Sequence, residues 1–321
     1  MGFPLLKQTK QSQQDLPVNG DSLVHFIESK VQGQQEVTEM ALAGIISGGH
    51  ILLEGPPGAG KTTLAKSFSD CFAAQFRRIQ MTSDLLPSEI TGTLRLDPKS
   101  RTDLVFRPGP IFSNFVLADE INRASPRTQS ALLESMAEGS VSIDGTTHLL
   151  PQPFHLIATQ NPSESIGVFQ LTESQLDRFS VAIGMTYPSP TTELDILKST
   201  PVTKAKPAGP SSLEELSALQ NTIQTLGLDE SLSRFMLSVG IATRSDPRIE
   251  NGASTRALLQ WSKVCRALAW LRGRDFVLPE DISDSAAPVL AHRLTLKSGE
   301  THYPLKIKLV NEIIESKPSP L

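Results

Sequence analysis

The chain has 321 residues, 39% hydrophobic and 20% charged, with a formal net charge of −4. At roughly 150 residues per domain this length predicts about two domains with real cores, and the composition excludes wholesale disorder or a collagen-like repeat. Weak acidity argues against a surface built throughout to grip nucleic acid, and two cysteines, Cys71 and Cys265, exclude a disulfide framework and point to a reducing, cytoplasmic setting.

Residues 1–20 are polar and read as a flexible segment. They carry no long apolar run of a secretory signal, and Leu6 replaces the Ser or Thr of a myristoylation motif. No stretch approaches the roughly 18 apolar residues of a membrane span. Helices are expected over 21–31 and 34–47, the second with Val37, Met40, Ala41 and Ile45 on a helical period and a stop at Gly48-Gly49. A short buried strand, His50 to Leu53, then runs through a Gly/Pro-rich turn into a helix from Lys61 to Ala74 and a strand from Arg77 to Met81. Strand, loop, helix and strand make a βαβ unit, so the sheet is expected to be parallel.

Residues 91–108 alternate around Asp97-Pro98-Lys99-Ser100 and read as a hairpin. Phe115 to Ala118 is another buried strand. Ser125, Pro126 and Gly139 are the N-cap, first residue and stop of the helix that follows. Asp144-Gly145, within Val141 to Leu150, is a strong type I′ hairpin signal. Phe154 to Thr159 and Val181 to Thr186 complete about five strands. The expected layout is an α/β core over 21–188, a linker over 189–210 (Pro201 to Pro210 being turn-rich), a helical domain over 211–310 and a tail over 311–321. Helices in the second domain are expected near 212–226, 229–244, 254–272 and 279–291.

Gly55-Pro56-Pro57-Gly58-Ala59-Gly60-Lys61-Thr62 matches the phosphate-loop pattern in full, between an expected strand and an expected helix. Glycines let the loop turn tightly, so backbone N–H groups and the helix N-terminus face one anion. Lys61 supplies a charge for the β- and γ-phosphates of ATP, and Thr62, next to Thr63, a hydroxyl for Mg²⁺. The apolar strand ending in Asp119-Glu120 offers a carboxylate for the metal and a second as a base that polarises water. Asn161 closes a strand before Pro162. Turn chemistry alone accounts for it, while the carboxyl end of a strand also lets it reach an attacking water.

The stretches Gly55 to Thr63, Leu117 to Ala124 (LADEINRA), Gln129 to Glu134 (QSALLE), Ala158 to Pro162 (ATQNP), Gln175 to Phe179 (QLDRF) and Gly252 to Ala257 (GASTRA) stand in this order. With Gly273-Arg274-Asp275 and Pro279-Glu280-Asp281 they resemble the MoxR family of AAA+ ATPases, over about residues 20–295. The resemblance implies a P-loop parallel-sheet core with a small all-α lid, and ATP and Mg²⁺ as cofactors. Asn161 would be sensor 1, Arg178 an arginine finger acting on a neighbouring subunit, and Arg256 sensor 2, reaching the nucleotide from the lid. A guanidinium suits both tasks because it stays charged and offers a planar fork to phosphate. Gln34, with Val31 and Gly33, would lie near the adenine. The hairpin at 141–150 would be an insertion in the helix after the acidic strand. Gly139-Ser140, Gln170 and Thr172 depart from the family's pattern.

The leading functional expectation is a homo-hexameric chaperone-like ATPase that remodels or activates a client protein complex, with any von Willebrand factor A domain on a separate partner. A nucleic-acid motor is the second reading. Against it, basic residues such as Arg77, Arg78, Arg266 and Arg293 are scattered and aromatics are only 5%. A nucleotide-gated scaffold is disfavoured by the intact Asp119-Glu120 pair, and a small-molecule kinase by the helical second domain.

Overall fold

Ile51 to Leu53, Phe115 to Ala118 and Leu156 to Ala158 are fully buried runs without polar alternation. Such strands are stable only with both sheet faces covered, which is the condition of a parallel sheet between helices. The structure, a computed structural model, describes residues 19–97, 104–161, 167–198, 209–299 and 303–318. Helices α1 (Gly20–Glu28) and α2 (Gln35–Ile46) precede β1 (Ile51–Glu54), α3 (Lys61–Cys71) and β2 (Phe76–Gln80). Short α4 (Pro87–Thr91) leads into the hairpin of β3 (Gly92–Leu96) and β4 (Leu104–Pro108), then β5 (Phe115–Asp119) and α5 (Pro126–Glu138). A second hairpin, β6 (Ser140–Ile143) and β7 (Thr146–Leu149), is followed by β8 (His155–Gln160), α6 (Glu173–Leu176) and β9 (Val181–Gly184).

The central sheet has five strands in the order β2-β5-β8-β1-β9, and every neighbouring pair is parallel. The carboxyl ends therefore lie along one edge, with Leu53 opposite Thr159, Ala118 opposite Ala158 and Gln80 opposite Asp119. The expected fold class and strand number are both found. The first hairpin forms as expected, although Pro98 to Ser100 of its turn lie outside the described residues. In the second, Asp144 (φ 46°) and Gly145 (φ 79°) both take the positive φ that a type I′ turn requires. This hairpin corrects one expectation, for it does not interrupt the helix after the acidic strand. Helix α5 is continuous, and Gly139 (φ 62°) ends it by donating its N–H to Ser135 O, so the hairpin begins only afterwards.

Beyond β9 the chain is helical: α7 (Pro190–Lys198), α8 (Leu213–Thr222), α9 (Glu230–Ser245), α10 (Thr255–Leu271), α11 (Pro279–Leu290) and α12 (Tyr303–Glu315). Two short strands, β10 (Ile249–Asn251) and β11 (Thr295–Leu296), pair antiparallel between them. The stretch read as linker opens with α7, and residues 199–208 lie outside the described residues. Of the tail read as 311–321, residues 311–315 complete α12, which buries Leu309, Val310 and Ile313 and ties Tyr303 O–H to Ala182 O of β9 at 2.5 Å. Among the described residues no helix is long and apolar enough to cross a membrane. Cys71 and Cys265 are both buried free thiols, pushed up to about 12 by desolvation, and so are unreactive.

Helical and α/β parts are joined by polar bonds at the amino-terminal side of the sheet. Gln220 Nε2 donates to Ile45 O at 3.0 Å and to His155 Nε2 at 3.1 Å, which leaves His155 Nδ1–H to donate to Gly49 O at 2.8 Å. His50 Nδ1 in turn accepts from Leu156 N at 3.0 Å. His155 is buried and His50 half-buried, and both stay neutral: desolvation, with the nearby His155 adding to it, lowers His50 to about 3, and desolvation lowers His155 to about 4.

In the unfolded chain these groups titrate near 6.5. Their contribution to stability is whole above that pH and is lost as pH falls toward the folded values. Urea unfolding should therefore give a free energy about 3–4 kcal/mol smaller at pH 5 than at pH 7.5. An unchanged midpoint across that window would show that the two rings are not held neutral.

Candidate nucleotide site

Glu54 ends β1, and the turn that follows is fixed to its neighbours. Gly55 N donates to Gln160 O of β8 at 3.3 Å, and Met185 N, just past β9, donates to Glu54 O at 2.6 Å. A Cβ on Gly55 would sit 2.4 Å from Met185 O, so only glycine lets the loop leave the sheet this closely. Gly58 (φ 81°) and Gly60 (φ 90°) then reverse the chain so that α3 starts at Lys61 with its N-terminal N–H groups facing the loop. Lys61 Nζ spans the loop, donating to Gly55 O and, at 2.9 Å, to Pro56 O. Tyr187 O–H holds the far side through Pro57 O at 3.1 Å.

Along the same edge, β5 ends in Asp119, whose Oδ1 accepts from Thr159 Oγ1 at 2.6 Å and whose Oδ2 is held by Arg78 Nη2 at 2.7 Å and Nε at 3.0 Å. Glu120 leaves the strand in the left-handed region (φ 59°, ψ 53°), and its N–H donates to the same Thr159 Oγ1 at 2.9 Å. Its carboxylate accepts from Gln80 Nε2 at 3.0 Å and from Arg123 Nε at 2.9 Å. A cleft of about 370 Å³ is lined by Pro57, Gly58, Gly60, Lys61, Thr62 and Thr63 on the loop side. Asp119, Glu120 and Asn161 line it on the strand side, with Arg78, Thr159 and Gln160 between them. On the other flank of the loop, a second cleft of about 390 Å³ is bordered by Val31, Gln34 and Ala59 and shares Gly58, Gly60 and Thr63 with the first. Gln34 is buried there and donates from Nε2 to Thr186 O at 2.8 Å. The two clefts therefore meet over one loop.

The residues expected at the site fall into two groups. Pro57 to Thr63 of the phosphate loop, the acidic pair, Asn161 and Gln34 converge on the two clefts, while Gly55 and Pro56 line neither and accept from Lys61 Nζ. Arg178 and Arg256 line neither cleft. Arg178 Nη1 donates to Leu133 O of α5 at 2.8 Å. The residues flanking it are fixed to the second domain: Arg293 Nε pairs with Asp177 Oδ1 at 2.9 Å and its Nη2 donates to Phe179 O at 2.6 Å. Arg256, exposed in the first turn of α10, is close enough to Arg293 for its charge to be felt. Desolvation outweighs the Asp177 pairing and pushes Arg293 down to about 10, with Arg256 adding to the effect. Both arginines thus belong to one flank of the molecule, where Asn251 Nδ2 also bonds Glu173 Oε2 at 3.1 Å. At Thr172, which departs from the family's pattern, the backbone N donates to Gln175 Oε1 at 2.8 Å and starts α6.

Thr159, Gln80 and Arg123 were not singled out as site residues, and Arg78 figured only among scattered basic residues. Their signal is indirect: residues 78 and 80 share one face of a strand by its period of two, and parallel pairing sets Gln80 beside Asp119. For a divalent cation the donor set is hard oxygen, one carboxylate and one hydroxyl (Thr62), which suits Mg²⁺ completed by water and phosphate. Asp119 Oδ2 already receives a cation, the Arg78 guanidinium, so the residues fit the metal.

A family model for the ATPase family associated with various cellular activities (AAA) matches residues 50–181, and an AAA lid domain model matches 241–315. Chaperone MoxR1 of Mycobacterium tuberculosis is 41% identical over 275 residues, 83% of this chain and 73% of that protein. The chain belongs to the MoxR family of AAA+ ATPases. It is also 42% identical to the uncharacterized protein YeaC of Bacillus subtilis over 88% of this chain and 89% of that one. A solved structure of an ATPase candidate from Cytophaga hutchinsonii aligns with a TM-score of 0.83 at 35% identity, covering 93% of this chain and 94% of that chain.

Lys61→Ala should weaken nucleotide binding at least about tenfold by calorimetry, because the loop loses its one mobile charge toward the phosphates. Thr159→Val removes the hydroxyl shared by Asp119 and Glu120 and leaves the loop intact. Turnover should fall about 10- to 100-fold while nucleotide affinity stays within about threefold. Equal turnover would take Thr159 out of the mechanism.

Proposed function

We propose that this ATPase binds ATP with Mg²⁺ in its own cleft and hydrolyses it only when a neighbouring copy supplies arginines from the opposite flank. In this reading Lys61 and the N–H groups of the phosphate loop hold the β- and γ-phosphates. Thr62 and Asp119 would hold the metal, which when bound supplies positive charge against the negative charge that develops on the leaving phosphate. Glu120 accepts a proton from water, and Asn161 orients that water. Gln34 and Val31 border the space for the adenine. The observation that carries the reading is the separation of parts: loop, acidic pair and Asn161 share one cleft, whereas Arg178 and Arg256 line neither it nor the cleft beside it.

In this reading a residue needed at the γ-phosphate but placed outside its own cleft comes through a head-to-tail contact, and such contacts give rings where the rotation closes. The resemblance to the family points to six subunits. Work from this cycle would remodel or activate a client protein complex, as the name of the Mycobacterium tuberculosis relative suggests for that protein. The reading extends to a separate partner with a von Willebrand factor A domain, and buried free thiols fit a cytoplasmic location.

The decisive experiment mixes two inactive variants. Glu120→Gln removes the base at its own site, and Arg178→Ala removes the arginine given to the next. Mixed equally in rings, about one interface in four combines both intact groups, so activity should exceed the sum of the separate variants. If light scattering shows mixed rings and no ratio restores turnover, Arg178 does not act between subunits.

A further inference from the structure

Asp119 and Glu120 are tied together twice. One tie is Thr159, already described. The other runs over the edge strand β2: Asp119 Oδ2 to Arg78, Arg78 Nη2 to Gln80 Oε1 at 2.8 Å, and Gln80 Nε2 to Glu120 Oε2 at 3.0 Å. The two ties differ in character. Thr159 is fully buried in the sheet, whereas the Arg78 side chain is 50% exposed on the outermost strand and has solvent to swing into. They also divide the carboxylate between them. Thr159 takes Oδ1 and Arg78 takes Oδ2, so the oxygen that faces a cation is the one under the guanidinium.

We propose that Arg78 is a positioning residue that competes directly with the divalent cation for Asp119 Oδ2, so that its departure on metal entry also breaks the Gln80 link to Glu120. This rests on the reading of Asp119 as a metal carboxylate. An arginine never loses its proton at accessible pH, so Arg78 can yield the oxygen only by moving away. Its pair with Asp119 is half in solvent and therefore weak enough to be displaced by a doubly charged ion. Gln80 then loses the donor that orients its carbonyl. The amide that holds Glu120 toward β2 is no longer anchored, and the carboxylate of the base keeps its Arg123 pair while losing its tie to β2. Metal loading and the orientation of the base are thereby coupled through β2, with no part for the nucleotide base or the lid.

Mn²⁺ as the probe, titrated into the full chain with ADP present and followed as free ion by electron paramagnetic resonance, tests this without turnover. Arg78→Gln should tighten Mn²⁺ binding by about fourfold, the displacement cost of a half-exposed ion pair. Gln80→Ala, which removes the second anchor of Arg78 together with the Glu120 tie but leaves Arg78 on Asp119 Oδ2, should tighten it less. A general loss of positive charge would raise cation affinity too, so the cycle with Asp119→Asn decides. In that background Arg78→Gln should change affinity by less than about twofold, because the contested oxygen has lost its charge. Arg78→Lys keeps the charge without the fork and should give an intermediate shift, which serves if Arg78→Gln proves unstable on melting. Wild-type affinity or weaker in Arg78→Gln overturns the proposal, as does an equal tightening in the Asp119→Asn background. If Asp119→Asn alone leaves Mn²⁺ affinity unchanged, the metal reading itself fails and the competition with it. If Asp119→Asn weakens binding while Arg78→Gln is silent, only the competition fails.

Discussion

The hydroxyl of Thr159 is the fixed point of the site. It donates to Asp119 at 2.6 Å and accepts from the backbone of Glu120 at 2.9 Å, so a single buried oxygen positions both carboxylates. Its own place is set by the register of β8 between β1 and β5, inside the sheet, where side-chain motion is most restricted. Glu120 needs that anchor. A non-glycine residue at φ 59° costs on the order of 1 kcal/mol, and a hydrogen bond to its N–H is what holds the chain there. The sharp turn in return points the Glu120 carboxylate off the strand axis and toward the edge, where a base can meet solvent.

Rigidity of the sheet contrasts with the way the second domain is attached. Arg293, buried against Asp177 and Phe179, and Arg272, bridging Glu39 of α2 to Asp281 of α11, connect lid and core by directional polar bonds. Arg178 stands between two residues that both bind Arg293, so the loop bearing it and the lid bearing Arg256 form one packed unit.

Much of this was legible in the sequence because glycine and proline act through backbone geometry alone. The phosphate loop, the Asp144-Gly145 turn, the Gly139 stop and the Ser125 cap need no tertiary context to be recognised. Buried parallel strands were equally plain as uninterrupted apolar runs. Helix α12 was hidden by its pattern, in which Leu305, Ile307 and Leu309 alternate with Lys306 and Lys308 as in a strand. It is helical because its apolar residues pack against α11 and because Tyr303 finds Ala182 O in another domain, a partner no local pattern announces. The same holds for the circuit around Asp119. Arg78, Gln80 and Thr159 lie on different strands and come together only through sheet register. The motif showed the groups that touch a ligand and left unmarked those that aim them.

Charge balance explains why so polar a cleft does not strain the fold. Lys61 is satisfied by loop carbonyls, and each carboxylate has its own cation, Arg78 for Asp119 and Arg123 for Glu120. No charge is left desolvated without a partner there, so the cleft is stable as it stands. A polyphosphate alone would add several negative charges beside Asp119 and Glu120, with only Lys61 and the N-terminus of α3 to meet them. A metal–nucleotide complex would bring most of its own neutralisation. At rest each cleft carboxylate is thus matched by a cation of the same chain.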